Sequence, residues 1–115
     1  MKVSDWLGKQ EFTELSNSPD AKVILFAAKW CGYCSRFLEM AKDFKSSNDA
    51  QLFLIDADDP DESLWDSYNL RLVPTMIIFQ SGKQLFRKDA ISGVGLRSSD
   101  LSEVLNALSS LPKSA

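Results

Sequence analysis

The chain has 115 residues, 44% of them apolar, with 13 Lys and Arg against 16 Asp and Glu; this fits a single domain over 1–115 whose own core suffices for stability. The basic residues are scattered, which argues against a nucleic-acid surface, and no apolar stretch nears the roughly 20 residues of a membrane-spanning helix, so no membrane insertion is expected. Met1-Lys2-Val3-Ser4-Asp5-Trp6 lacks the charged region, apolar stretch and small-residue cleavage site of a secretory leader, so a cytoplasmic protein is expected, with a periplasmic domain that has lost its leader as the alternative.

Taken in chain order, Lys2 to Leu7 reads either as a short edge strand before a helix around Lys9–Ser16 or as the start of a helix from Ser4. The nearly unbroken apolar run from Ala21 to Ala28 predicts a central strand buried on both faces. Phe37, Leu38, Met40, Ala41 and Phe44 recur at helical spacing, predicting a helix from Gly32 to about Phe44. Gln51–Ile55 is a second buried strand. The acidic run that follows, Asp56 to Glu62, lacks the sixth-position glycine of a calcium loop, and Asp59-Pro60 reads as a helix N-cap with proline in the first turn, leading into Leu64, Trp65 and Tyr68. Thr75–Phe79 and Gln84–Arg87 flank Gln80-Ser81-Gly82-Lys83 and predict an antiparallel hairpin. Leu101, Val104, Leu105, Leu108 and Leu111 mark a final helix ended by Pro112, with Lys113-Ser114-Ala115 as a frayed tail. The order (β)αβαβαββα indicates an α/β fold with a mixed sheet.

Chemistry concentrates in Trp30-Cys31-Gly32-Tyr33-Cys34, which holds the chain's two cysteines at the start of the second helix. A helix N-terminus presents unpaired N–H groups and the positive end of the helix dipole, which favour a thiolate at Cys31. Cys31 would then attack substrate disulfides, and Cys34, one turn deeper, would resolve the mixed disulfide. Structural zinc and iron–sulfur sites need about four ligands, and the sequence has no further cysteine and no histidine. An inert disulfide, a pair of buried thiols or a metal shared between chains are the competing readings, and redox chemistry is favoured over all three.

Lys29-Trp30-Cys31-Gly32-Tyr33-Cys34 after a buried strand, with Leu72-Val73-Pro74-Thr75 opening a later one, resembles the thioredoxin family over nearly the whole chain. The resemblance implies a thioredoxin fold, a mixed sheet of four to five strands flanked by helices on both faces. It also implies a cis Val73–Pro74 bond against the thiols, with the Val73 backbone bonding an incoming peptide. Trp30, Gly32, Tyr33, Val73, Pro74 and the Gly93-Val94-Gly95 segment would form a docking surface around an exposed Cys31 sulfur; core packing is the alternative for Trp30 and a plain turn for Gly93 and Gly95. Trp6 and Trp65 read as packing residues. The implied activity is reduction of disulfide-containing proteins by a monomer, through a Cys31–Cys34 redox disulfide with no bound cofactor, recharged by a reductase or thiol protein. A disulfide oxidant or isomerase outside the cytoplasm is one alternative, and a non-catalytic binding module is another.

Three features depart from the family. Leu25 stands where an aspartate is common beneath the second cysteine, and Leu52 where a lysine is frequent. Tyr33 replaces the proline usual between the cysteines, and the middle of the second helix, around Glu39 and Met40, lacks a proline. Lys29, Arg36 and Arg71 are the cations near the motif.

Overall fold

In the computed structural model, which describes residues 1–46, 49–58 and 64–112, the apolar run after Ala21 becomes β2 (Lys22–Ala27), with Val23 to Ala27 all buried. A strand with two apolar faces can sit only inside a sheet covered on both sides. β2 is so placed, parallel to β3 (Gln51–Asp56) on one edge and antiparallel to β4 (Thr75–Gln80) on the other. β1 (Lys2–Trp6) adds outside β3 and β5 (Lys83–Asp89) outside β4, giving five strands in the order β1-β3-β2-β4-β5.

The ambiguous first segment is an edge strand. It pairs parallel with β3 at Lys2, Val3 and Trp6, with an irregularity between the last two. There the Ser4 hydroxyl accepts the Leu54 N–H at 2.9 Å, keeping a buried donor satisfied where the ladder slips. Helix α1 (Lys9–Ser16) follows, its first turn closed by the Glu11 carboxylate accepting the Gly8 N–H at 3.2 Å.

The two sheet faces carry different packing. Phe26 of β2 and Phe79 of β4 meet Phe12 of α1 and Tyr68, which follows the short α3 (Leu64–Ser67), in a four-ring cluster with centroids 5.2–6.3 Å apart. Leu25 and Met76, paired across β2 and β4, point to the opposite face with Leu54. That face is covered by α2 (Gly32–Asp43), whose buried residues are Cys34, Phe37 and Ala41, and by α4 (Ser98–Ser110), which buries Leu101, Val104 and Leu105. The buried carboxylate of Asp100 accepts the Arg97 N–H at 2.7 Å, capping α4, and pairs with Lys88 of β5 at 3.7 Å. Lys88 also bonds Glu103 at 2.7 Å, and this contact raises its pKa above the ordinary lysine value.

The hairpin strands run longer than expected, because Ser81 and Gly82 alone make the turn. Both have positive φ, 52° and 80°, as a two-residue hairpin turn of matching twist requires. A β-carbon on Gly82 would also come within 2.8 Å of Asn17 Oδ1, and the turn's amides donate to Ser18 and Ser16 at 2.8 Å. The helix cap expected at Asp59-Pro60 and the tail Lys113-Ser114-Ala115 lie outside the described residues.

Phe26→Ala should cost about 3–5 kcal/mol, since it removes a fully buried ring from a cluster that cannot collapse without breaking ring contacts. Urea unfolding checks this: the midpoint falls while the slope against denaturant stays unchanged.

Candidate active site

Four residues separate β2 from α2, and Cys31 is the last of them. Its backbone is extended (φ −88°, ψ 113°), it stands at the N-cap of α2, and its sulfur accepts the Cys34 N–H at 3.2 Å. This sulfur therefore takes the role that a serine or aspartate oxygen plays at other helix starts. Negative charge there meets a donor and the positive end of a 12-residue helix.

The second wall comes from β4. The antiparallel register pairs Phe26 with Thr75, so the residues just before β4 fall beside the residues just after β2. The Val73–Pro74 bond is cis, and the Val73 carbonyl oxygen lies 3.7 Å from Cys31 Sγ. Thr75, fully buried, anchors this corner by donating its hydroxyl to the Leu72 carbonyl at 2.8 Å. Among the described residues the Val73 N–H donates to none, while its Pro74 neighbour is buried and its Leu72 neighbour exposed.

Both cysteines are free thiols. The sequence leads one to expect an exposed Cys31 sulfur, but Cys31 keeps only 5% of its accessible surface, because the cap position folds the sulfur under its own helix and against Val73. Cys34, at 1%, is deeper. Burial pushes the Cys34 thiol up to about 12, with the hydrogen bond to Cys31 and the neighbouring sulfur's charge acting in the same direction and the Ala28 backbone opposing them. Cys34 is thus protonated at neutral pH. Leu25, the fully buried residue in the aspartate position, and Leu52 offer it no proton acceptor.

Around the thiols, Trp30 is 69% exposed, which rules out core packing, and Tyr33 is 41% exposed. Leu72, next to Val73, and Ile91 and Val94 of the loop that meets Tyr33 and Arg36 are also exposed, so the segments flanking the motif carry apolar surface. Gly32 begins α2 with open space at its α-carbon, and so does Gly93 (φ 78°), which serves as a turn residue. Gly95 lies under the Tyr33 ring. The 91–95 loop closes on itself, with Ile91 and Gly95 exchanging both backbone hydrogen bonds at 3.1 and 2.8 Å.

One contributor is absent from the sequence reading. The Asp58 carboxylate accepts the indole N–H of Trp30 on one oxygen and that of Trp65 on the other, the latter at 2.7 Å. It fixes the exposed Trp30 ring at the rim, and Trp65, read as a packing residue, is held by the same group. An aspartate in an acidic loop gives no signal of this; only the folded return of β3 beside the motif brings the three together. Trp6 packs elsewhere, with the Lys29 ammonium 5.5 Å over its ring.

The thioredoxin family model matches residues 4–107 of the chain. The chain belongs to the thioredoxin family. A thioredoxin from Geodia cydonium is 34% identical, over 77% of this chain and 87% of its own length, and one from Mycoplasmoides gallisepticum is 35% identical over 65% and 75%. Among solved structures, a thioredoxin point mutant from Halobacterium salinarum superposes with a TM-score of 0.71 at 25% identity, covering 96% of this chain and 94% of its own. The thioredoxin from Malassezia sympodialis matches at 0.67 and 21%, which speaks for the fold. As a family member the chain is a thiol-disulfide oxidoreductase that acts on disulfide-containing proteins, works through its own cysteine pair without a cofactor, and is recharged by a reductase. The oxidant, isomerase and inert-module readings are not favoured by these relatives.

With Cys31 replaced by serine, the alkylation rate of Cys34 should still be climbing at pH 10, because burial, the largest cause of its raised pKa, survives the substitution. Iodoacetamide labelling followed by mass spectrometry checks this, and a plateau between pH 7 and 9 would contradict it.

Proposed function

We propose that the chain is a monomeric reductant of protein disulfides in the cytoplasm, with Cys31 as nucleophile and Cys34 as resolving thiol. The observation that carries the assignment of roles is the asymmetry of the pair. The Cys31 sulfur accepts an N–H at the start of α2 and lies against the Val73 carbonyl, whereas Cys34 lies deeper as a buried, protonated thiol.

The exchange follows from that asymmetry. A substrate strand lies along Val73, whose N–H is available to it, and its disulfide comes over Cys31. The Cys31 thiolate attacks one substrate sulfur; the substrate S–S bond breaks, a mixed disulfide forms, and the departing sulfur takes up a proton. Cys34 then gives its proton to water or to a backbone-linked water and attacks Cys31 Sγ. The Cys31–substrate bond breaks and the second substrate thiol leaves. Two electrons have passed to the substrate, and the Cys31–Cys34 disulfide waits for the reductase.

Trp30, Gly32, Tyr33, Val73, Pro74 and Val94 are the residues to which this reading gives substrate contact, with Gly93 shaping the loop. Everything the exchange needs lies in one chain, which supports a monomer. Reduction of protein disulfides is favoured where the thiol pool is kept reduced, which supports the cytoplasm.

Cys31→Ser should reduce turnover of a protein disulfide to background, while Cys34→Ser should still attack and accumulate as a mixed disulfide, visible by non-reducing electrophoresis. Accumulation in the Cys31→Ser protein instead would reverse the roles.

Deprotonation of Cys34 is the step most burdened by its surroundings, because the residue beneath it in the family pattern is Leu25 and not a carboxylate that could accept the proton. Leu25→Asp should therefore speed release of product from the mixed disulfide, at a cost in stability from the buried charge. Stopped-flow rates equal in the two proteins would show that proton removal does not limit this step.

A further inference from the structure

Tyr33 stands where the family usually has proline, and it rebuilds one side of the docking surface. A β-carbon added to Gly95 would come within 3.0 Å of Tyr33 Cδ1 and 3.3 Å of its Cβ, and Gly95 has φ +82°. Space and backbone therefore both require glycine, and the tyrosine ring lies directly on the 91–95 loop. The Arg36 guanidinium stacks over this ring, 5.0 Å from its centroid, and donates to the Val94 carbonyl at 2.9 Å. A cation is thereby fixed at the rim of the thiol site by a ring and a carbonyl, both belonging to the surface that substrate meets.

Arg36 remains able to bind more. A guanidinium carries five N–H donors in a rigid fork, and among the described residues Arg36 has no carboxylate partner. Because the side chain is already held, meeting an anion costs it little further ordering. The neighbouring cations differ. Lys29 sits over Trp6 and Arg97 is paired with Asp100 at 3.5 Å. Arg71 forms no hydrogen bond or ion pair among the described residues. On the opposite rim the Asp58 carboxylate is occupied by two indoles.

We propose that Arg36, held in place by Tyr33 and Val94, is a specificity-determining residue that selects protein disulfides flanked by a carboxylate side chain. The proposal rests on the reading of Cys31 and Cys34 as the reducing site and adds the substrate class. It also gives Tyr33 a role: the ring, seated on Gly95, holds the guanidinium beside the Val94 carbonyl at the edge of the motif.

Three disulfide-closed peptides, identical except for Glu, Gln or Lys on both sides of one cysteine, test this. Each is mixed in excess with the reduced protein under single-turnover conditions, and each rate is divided by its rate with dithiothreitol alone to remove intrinsic reactivity. At low ionic strength the Glu peptide should react about five-fold faster than the Lys peptide, the scale of a partly exposed ion pair, and the ratio should fall towards one in 0.5 M salt. Arg36→Gln should bring the ratio near one, Arg36→Glu should invert it, and Arg36→Lys should retain most of it. Equal rates with the native protein, or a Glu preference that survives Arg36→Glu, overturn the proposal. The native ratio and its salt dependence decide the matter even if a variant does not fold. The Gln peptide separates the two readings: if it is not reduced, the reducing site itself is misassigned and the proposal falls with it.

Discussion

The pairing of Phe26 with Thr75 across β2 and β4 is the constraint on which the site depends. Each strand delivers its own functional end, the Cys31 cap from one and the Val73–Pro74 corner from the other, and the antiparallel register makes those ends adjacent. A shift of one residue would turn Leu25, Phe26, Met76 and Thr75 to the wrong faces. The core therefore enforces the register. The four rings on one face and the Leu25, Met76 and Leu54 layer on the other leave only one alignment that buries both.

Built on that register, the thiol pair is asymmetric without any charged group beneath it. Position along one helical turn is enough. The residue at the cap has an N–H aimed at its sulfur, and the residue three places on is buried in the α2 packing face. The rim is then tuned from separate elements: Asp58 after β3 steadies Trp30, and the β5–α4 loop receives Tyr33 and Arg36. These rim contacts are polar or cationic additions to an apolar surface, so they can differ among relatives without disturbing the sheet.

Much of this was legible in the sequence, and the residues explain why. β2 and β4 announce themselves as apolar runs, α2 and α4 by helical spacing, and the thiol pair by being the chain's only cysteines. The segment Lys2–Leu7 was ambiguous because its burial alternates too weakly to distinguish a strand from a helix, and only pairing with β3 decides it. The expectation of an exposed Cys31 sulfur failed because a motif specifies which residues meet, and not how deeply the cap folds one of them in. Asp58 carries no local mark in the sequence, since its partners are 28 and 7 residues away. Tyr33 departs from the family pattern in the sequence itself, yet its seat on Gly95 follows only from the path of the β5–α4 loop.

Leu25 has a consequence for how the redox couple answers to acidity. Among the described residues the one buried carboxylate is Asp100, and it is committed to the start of α4 and to Lys88. The sheet beneath the thiols is therefore electrically silent. Among the described residues no buried carboxylate lies free beneath the thiols, so the protons that accompany opening of the disulfide are those of the two sulfurs themselves. The pH response of the couple is then written by the two sulfurs alone, without the inflection that a hidden carboxylate would add.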